Sequence, residues 1–164
     1  VSAATREELL GDLFTAVSDA VFDVPIMGHT TWAGKARKYV DPAQIPNGMQ
    51  PFLAQFEGFP EHYERRGMRL PPVREIGVRL FCWARVDTGD TAELGSQYLT
   101  TMLEAVERVM LPDLAGYGAG SGNVGLFTLN GGCQWCRIEG SVLKIPGDTD
   151  GQALVCIPVR ILWP

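Results

Sequence analysis

The chain is poor in the groups that most often carry chemistry. Its two histidines, His29 and His62, lie in separate stretches with no Cys or Asp at ligand spacing, so neither marks a metal or catalytic centre. No G-x-S-x-G, H-E-x-x-H or phosphate-loop pattern occurs. Basic residues are in deficit: 14 Lys and Arg stand against 19 Asp and Glu, a formal net charge of −5. A dedicated nucleic-acid binder would carry a basic face instead. No apolar run approaches the ~18 residues a membrane helix needs. The opening VSAATREELL lacks a basic segment followed by an apolar one, so it does not read as a secretory signal. Val1 reads as the residue after a removed initiator Met or as a trimmed start, and the default compartment is cytosolic.

What remains is an ordinary globular composition. With 164 residues, 46% hydrophobic and 20% charged, the chain suits one domain over 1–164 that buries about 70% of its unfolded surface. The 19 glycines and 11 prolines exceed the usual ~12% share. They fall between periodic segments, which predicts long ordered loops.

Four cysteines need a reading: Cys82, Cys133, Cys136 and Cys156. Cys133 and Cys136 form a C-x-x-C pair, which can open a zinc site or a redox motif. A redox pair usually opens a helix, whose N-terminus lowers the thiol pKa. Here the pair sits in GGCQWCRIEG, a turn entering a strand, and residues three apart on a strand point to opposite faces. The better reading is four small buried hydrophobes.

Periodicity then lays out the fold. Thr5-Arg6-Glu7-Glu8 is a capping box, followed by a helical stripe of Leu9, Leu10, Leu13, Phe14, Val17 and Val21. The helix should end near Phe22, before Val24-Pro25. Short strands are expected over Lys35 to Val40 and Pro51 to Glu57, then a polar loop from Gly58 to Pro71. From Pro72 to Val86 the chain alternates. Ile76, Val78, Leu80, Cys82, Ala84 and Val86 share one face; Arg79, Phe81, Trp83 and Arg85 share the other.

Asp90-Thr91-Ala92-Glu93 reads as a second capping box, opening a helix that Pro112 stops. Ala115 to Gly125 is glycine-rich. Its GYGAG run resembles part of a dinucleotide fingerprint, but it follows a helix rather than a strand, which is the wrong context. Leu126 to Leu129 should form a strand running into an Asn130-Gly131 hairpin turn. Strands from Gln134 to Ile145 and from Gln152 to Trp163 complete the chain. Pro158 cannot donate to a ladder, so the last strand should be at an edge or bulged there. The order α, β, β, β, α, β, β, β predicts an α+β fold: an antiparallel β-sheet with two amphipathic helices packed on one face.

One length argument points outward. A strand from Pro72 to Val86 would be about 50 Å long, against a diameter of about 40 Å for a compact domain of this size. It must bend sharply or project as a long hairpin, and a projecting hairpin bearing Phe81 and Trp83 is stable only with a partner over it. Arg65, Arg66 and Arg69, in the polar loop, could meet an acidic partner or simply be solvated. Glu61 and Glu64 beside them suit surface ion pairs better than acid–base work. The candidate contact residues, for a neighbouring subunit or another partner, are therefore Arg65, Arg66, Arg69, Arg79, Phe81, Trp83 and Arg85.

A resemblance says what that partner would be. Cys133-Gln134-Trp135-Cys136-Arg137-Ile138-Glu139-Gly140, then Gly147-Asp148, Gly151-Gln152-Ala153 and the ending Ile157-Pro158-Val159-Arg160-Ile161-Leu162-Trp163-Pro164 resemble the tail terminator (tail completion) proteins of long-tailed bacteriophages and prophages. The TREELLGDLF helix, the PFLAQFE strand, the long strand and a second helix with Leu103-Glu104-Ala105-Val106-Glu107 fall in the same order. The sequence departs at Trp163, where a small apolar residue is expected before the Pro, and in the glycine-rich loop. The resemblance implies a structural virion protein, assembled in the host cytoplasm. It would form a homo-oligomeric ring, usually a hexamer, on the head-proximal end of the tail tube. The ring would stop tube polymerisation and dock the head connector, and genomic DNA would pass its lumen without specific binding. An acidic lumen would suit sliding DNA, since cationic phosphate contacts hold it.

Neither the residues nor the resemblance supplies a catalytic group, a metal or a cofactor, and no membrane partner is expected. The alternatives are a head–tail joining (connector or stopper) protein, a small-ligand or metal-binding domain using the cysteines, and an enzyme with an unrecognised site.

Overall fold

The computed structural model describes residues 4–22, 34–46, 50–65, 67–68, 72–91, 94–110, 127–148 and 150–163. Two helices, α1 (Arg6–Phe22) and α2 (Gly95–Met110), accompany seven strands: β1 (Gly34–Ala36), β2 (Phe52–Phe56), β3 (His62–Glu64), β4 (Val73–Arg85), β5 (Trp135–Ile138), β6 (Leu143–Ile145) and β7 (Gln152–Trp163). Among the described residues no helix is long and apolar enough to cross a membrane.

The first capping box forms as expected. The Glu8 N–H donates to Thr5 Oγ1 at 3.2 Å, and the Thr5 N–H donates to Glu8 Oε2 at 2.6 Å. Two of the helix's orphan groups are thereby satisfied reciprocally, a device contributing about 1 kcal/mol. The second box does not start α2. Asp87 to Asp90 close a turn instead, with the Asp90 N–H donating to the Asp87 carbonyl, and the helix begins at Gly95. Position 95 tolerates no side chain, because a Cβ there would lie 1.7 Å from the Pro146 carbonyl oxygen. The helix start is packed directly against the chain entering β7.

The fold is α+β, with a seven-stranded mixed sheet. β4 and β7 form its spine, antiparallel from Arg74↔Trp163 to Arg85↔Gln152. β2 and β3 lie in line along the free side of β4, and β5 and β6 along the free side of β7. Two expectations need correction. The sheet is not purely antiparallel, since β1 runs parallel to β2 at the edge. Nor is β4 an arm of a projecting hairpin: the chain crosses through α2 before returning as β7, so the long strand is flanked on both sides within the body. The extra length is absorbed because β2 and β3 share one flank of it and the long β7 runs along the other.

Both helices cover one face. Ile76, Val78, Leu80, Cys82, Ala84 and Val86 join Ala153, Val155, Ile157, Val159 and Ile161 in one core with Leu9, Leu13 and Val17 of α1 and Tyr98, Met102 and Val106 of α2. Gln55 is fully buried on this face and donates to the Leu10 carbonyl at 2.9 Å, joining β2 to α1. Arg37 bridges Glu7 of α1 and Glu57, closing the same side.

The last third follows its turn chemistry. Leu129, Asn130, Gly131 and Gly132 close a tight turn: Asn130 and Gly131 have φ of 58° and 82°, and the Gly132 N–H donates to the Leu129 carbonyl. The described part of the expected 126–129 strand is not regular strand, although the Cys136 N–H does reach the Phe127 carbonyl. The expected Gln134–Ile145 strand is two strands, and Pro158 explains the break. Its carbonyl accepts from the Glu139 N–H, so its missing N–H faces the same flank. Gly140 leaves the ladder there with φ 121°. The Ala115–Gly125 loop and His29 lie outside the described residues.

Candidate interaction surface

The sheet's other face is built from the alternate residues of the same strands. Register places Ala54, Phe81, Cys156 and Leu143 in one row across β2, β4, β7 and β6, and Phe52, Trp83, Leu154 and Ile145 in the next. Adjacent strands lie about 4.8 Å apart, so each row is a continuous apolar band. Phe81 and Trp83 stack at 5.7 Å with ring planes 10° apart, and Tyr39 meets Phe81 edge-on at 5.8 Å.

One end of each band is covered and the other is open. The segment after β1 folds over the β2 end, setting Tyr39, Val40 and Ile45 against Phe52, Ala54, Phe81 and Trp83. Asp41 holds that segment in a one-turn 3₁₀ helix, Pro42–Gln44, by accepting from the Ala43 N–H at 3.0 Å. At the β6 end nothing described lies over the bands, and Leu143 and Ile145 are 54% and 41% exposed.

This geometry revises the contact residues. Arg79, Phe81, Trp83 and Arg85 do share one face of β4, but Trp83 is 1% exposed and is a core residue, not an open contact. Its cover comes from the chain's own 39–45 segment, whose irregular sequence gave no periodic signal. Phe81 is half-buried and Arg85 exposed. Arg65 is exposed just beyond β3, away from this row, while Arg66 and Arg69 lie outside the described residues. Leu143 and Ile145 were missed. Their i, i+2 spacing was visible, but as part of a strand read as continuous to Gln134.

Below the bands the face becomes polar. Arg160 pairs with Glu75 at 3.1 Å and approaches Glu139 at 3.7 Å, and Arg137 also holds Glu139. Glu61 is an ion-pair partner as expected, here of Arg6.

The cysteines do not converge on a metal, and among the described residues no group of three or more His, Cys, Asp or Glu is arranged to hold one. Cys82, Cys133 and Cys136 are buried in the helix-side core. The expectation that Cys133 and Cys136 face opposite sides fails because Cys133 precedes β5 and the turn carries it inward. Burial pushes the Cys133 thiol up to about 11. It raises Cys82 and Cys136 further, with Cys156 and Cys133 respectively adding to the effect. Cys156, on the outer face, is also raised by burial, which the positive charge of Arg79 partly opposes. No protein-family model matches the chain, and no curated protein matches it.

Proposed function

We propose that the protein is a structural virion subunit that rings the head-proximal end of a phage tail tube, ends tube growth and docks the head connector. The observation that carries this reading is the open apolar end of the outer face. An edge strand normally carries charge or is covered, yet β6 presents Leu143 and Ile145 on one side with only Lys144 between them. Such an edge suits permanent cover by a neighbouring subunit, and a head-to-tail contact of this kind closes into a ring when the rotation allows. The resemblance supports the same reading. Its most specific stretches form β5, the turn at Gly147 and the two ends of β7, and the helix, strand, long strand and second helix it implies occur in that order.

The test is electron microscopy of particles assembled without this protein. Overlong, headless tubes are expected. Tails of normal length that fail to join heads would instead favour the head–tail joining protein. Intact infectious virions would exclude both.

A further inference from the structure

The polar half of the outer face holds a cavity of about 460 Å³ that the ring reading does not use. Two absences in the sequence create it. Gly77, opposite Arg160 in the ladder, carries no side chain, and a Cβ there would meet only Phe59 Cβ, at 3.7 Å. Beside it, Pro158 falls in the gap between β5 and β6 along β7, and the chain turns away at Gly140. Phe59 and Pro60 wall one side, and the 139–141 segment walls the other.

The charged lining residues, Glu75, Arg79, Glu139 and Arg160, sum to zero but are unevenly paired, because Arg137 outside the lining also holds Glu139. Arg137, Glu139, Arg160 and Glu75 form a chain of ion pairs with no net charge. Arg79 remains. It is half-buried on the floor, its guanidinium 5.1 Å from the Phe59 ring centroid. Among the described residues it has no carboxylate partner within ion-pair distance. Arg79 thus stands beside apolar walls as a guanidinium that no described carboxylate contacts.

We propose that this cavity binds a single carboxylate carried on an apolar stem. The carboxylate would pair with Arg79, in the forked geometry that guanidinium favours. The stem would lie along Phe59, Pro60 and Pro158. A nucleic-acid backbone fits poorly, because it needs several free cations in a row and would meet Glu75 and Glu139. The volume suits a small acid and equally one glutamate side chain of a partner segment.

Titration calorimetry with two probes separates those sources: hexanoate, and a capped pentapeptide with one central glutamate. Hexanamide and the glutamine peptide are the uncharged controls. Amide NMR shifts at Gly77 and Gly140 locate the binding. Saturable binding of at least one probe is expected, with its uncharged control and Arg79→Gln each weaker by about tenfold or more, the equivalent of losing one charge-assisted contact. Arg79→Lys should retain part of the affinity. Gly77→Leu, which fills the floor, should abolish it with the melting temperature checked alongside. Preference for hexanoate assigns a small acid, and preference for the peptide assigns a partner glutamate. Failure of both probes to saturate, unchanged binding by Arg79→Gln, or tighter binding of inorganic phosphate than of either probe would overturn the proposal.

Discussion

The two faces of β4 share one backbone and differ in how they are covered. On the even-numbered side Ile76, Val78, Leu80, Cys82 and Ala84 are all 3% exposed or less. On the odd-numbered side only Trp83 reaches that level, while Glu75, Gly77, Arg79 and Phe81 stay half-open. The cause is the covering element. An amphipathic helix offers a stripe as long as itself, so α1 and α2 close a whole face. The 39–45 segment is irregular and short, and it closes one corner. A strand that alternates apolar with mixed residues thus yields a finished core on one side, and on the other a graded surface that runs from core to open edge to charged cavity.

The largest contrast should appear in thiol chemistry. In native protein, iodoacetamide should modify Cys156 on the outer face well before Cys82 and Cys136. Those two are held as thiols by burial and become accessible only on opening of the helix layer. A domain stability of about 5–15 kcal/mol would set that ratio at 10³ or more. Mass spectrometry of partly labelled protein reads it directly. Early labelling of Cys82 would mean the helices do not seal their face.

Next comes Trp83→Ala. As a core residue stacked on Phe81 and packed against Phe52 and Ile45, it should cost about 3–5 kcal/mol of stability, read by urea unfolding of the isolated protein. A cost under about 1 kcal/mol would show that the 39–45 cover is loose and that Trp83 is available to a partner after all.

The contrast between the faces also marks how far the sequence could be read. Period-2 alternation from Pro72 and the stripe beginning at Leu9 located β4, α1 and their share of the helix-side core, because regular elements impose regular patterns. Pro158 suggests an edge or a bulge, and neither holds: β7 is interior, with an unbroken register to β4, and the missing N–H falls instead in the gap between β5 and β6 on its other side. The cover over Trp83 was illegible because tertiary contact from an aperiodic segment decides it. The start of α2 was misplaced as well: Asp90-Thr91-Ala92-Glu93 has the composition of a cap, but the helix begins at Gly95, where the close approach of Pro146 admits only a glycine. The cavity was beyond reach as well. It depends on Gly77 and Gly140, far apart in sequence, meeting across β7.

The smallest effect on stability should come with a decisive effect on assembly, at the open end of the bands. Leu143→Glu combined with Ile145→Glu replaces two exposed side chains on an edge strand, so the isolated subunit should lose no more than about 0.5 kcal/mol per site. In a ring the same positions would be covered. Each side chain is already about half-buried, so completing its burial contributes about 1 kcal/mol, and the pair about 2 kcal/mol, or roughly 30-fold in subunit affinity. Two added carboxylates on a chain of net charge −5 act in the same direction. Tails assembled with the double variant should therefore be overlong even though the subunit melts normally. This pattern is the reverse of Trp83→Ala, which should lower the melting temperature first and assembly only through loss of folded protein. Tails of normal length from the double variant would make β6 a solvated edge, and the difference between the faces would then be one of packing alone.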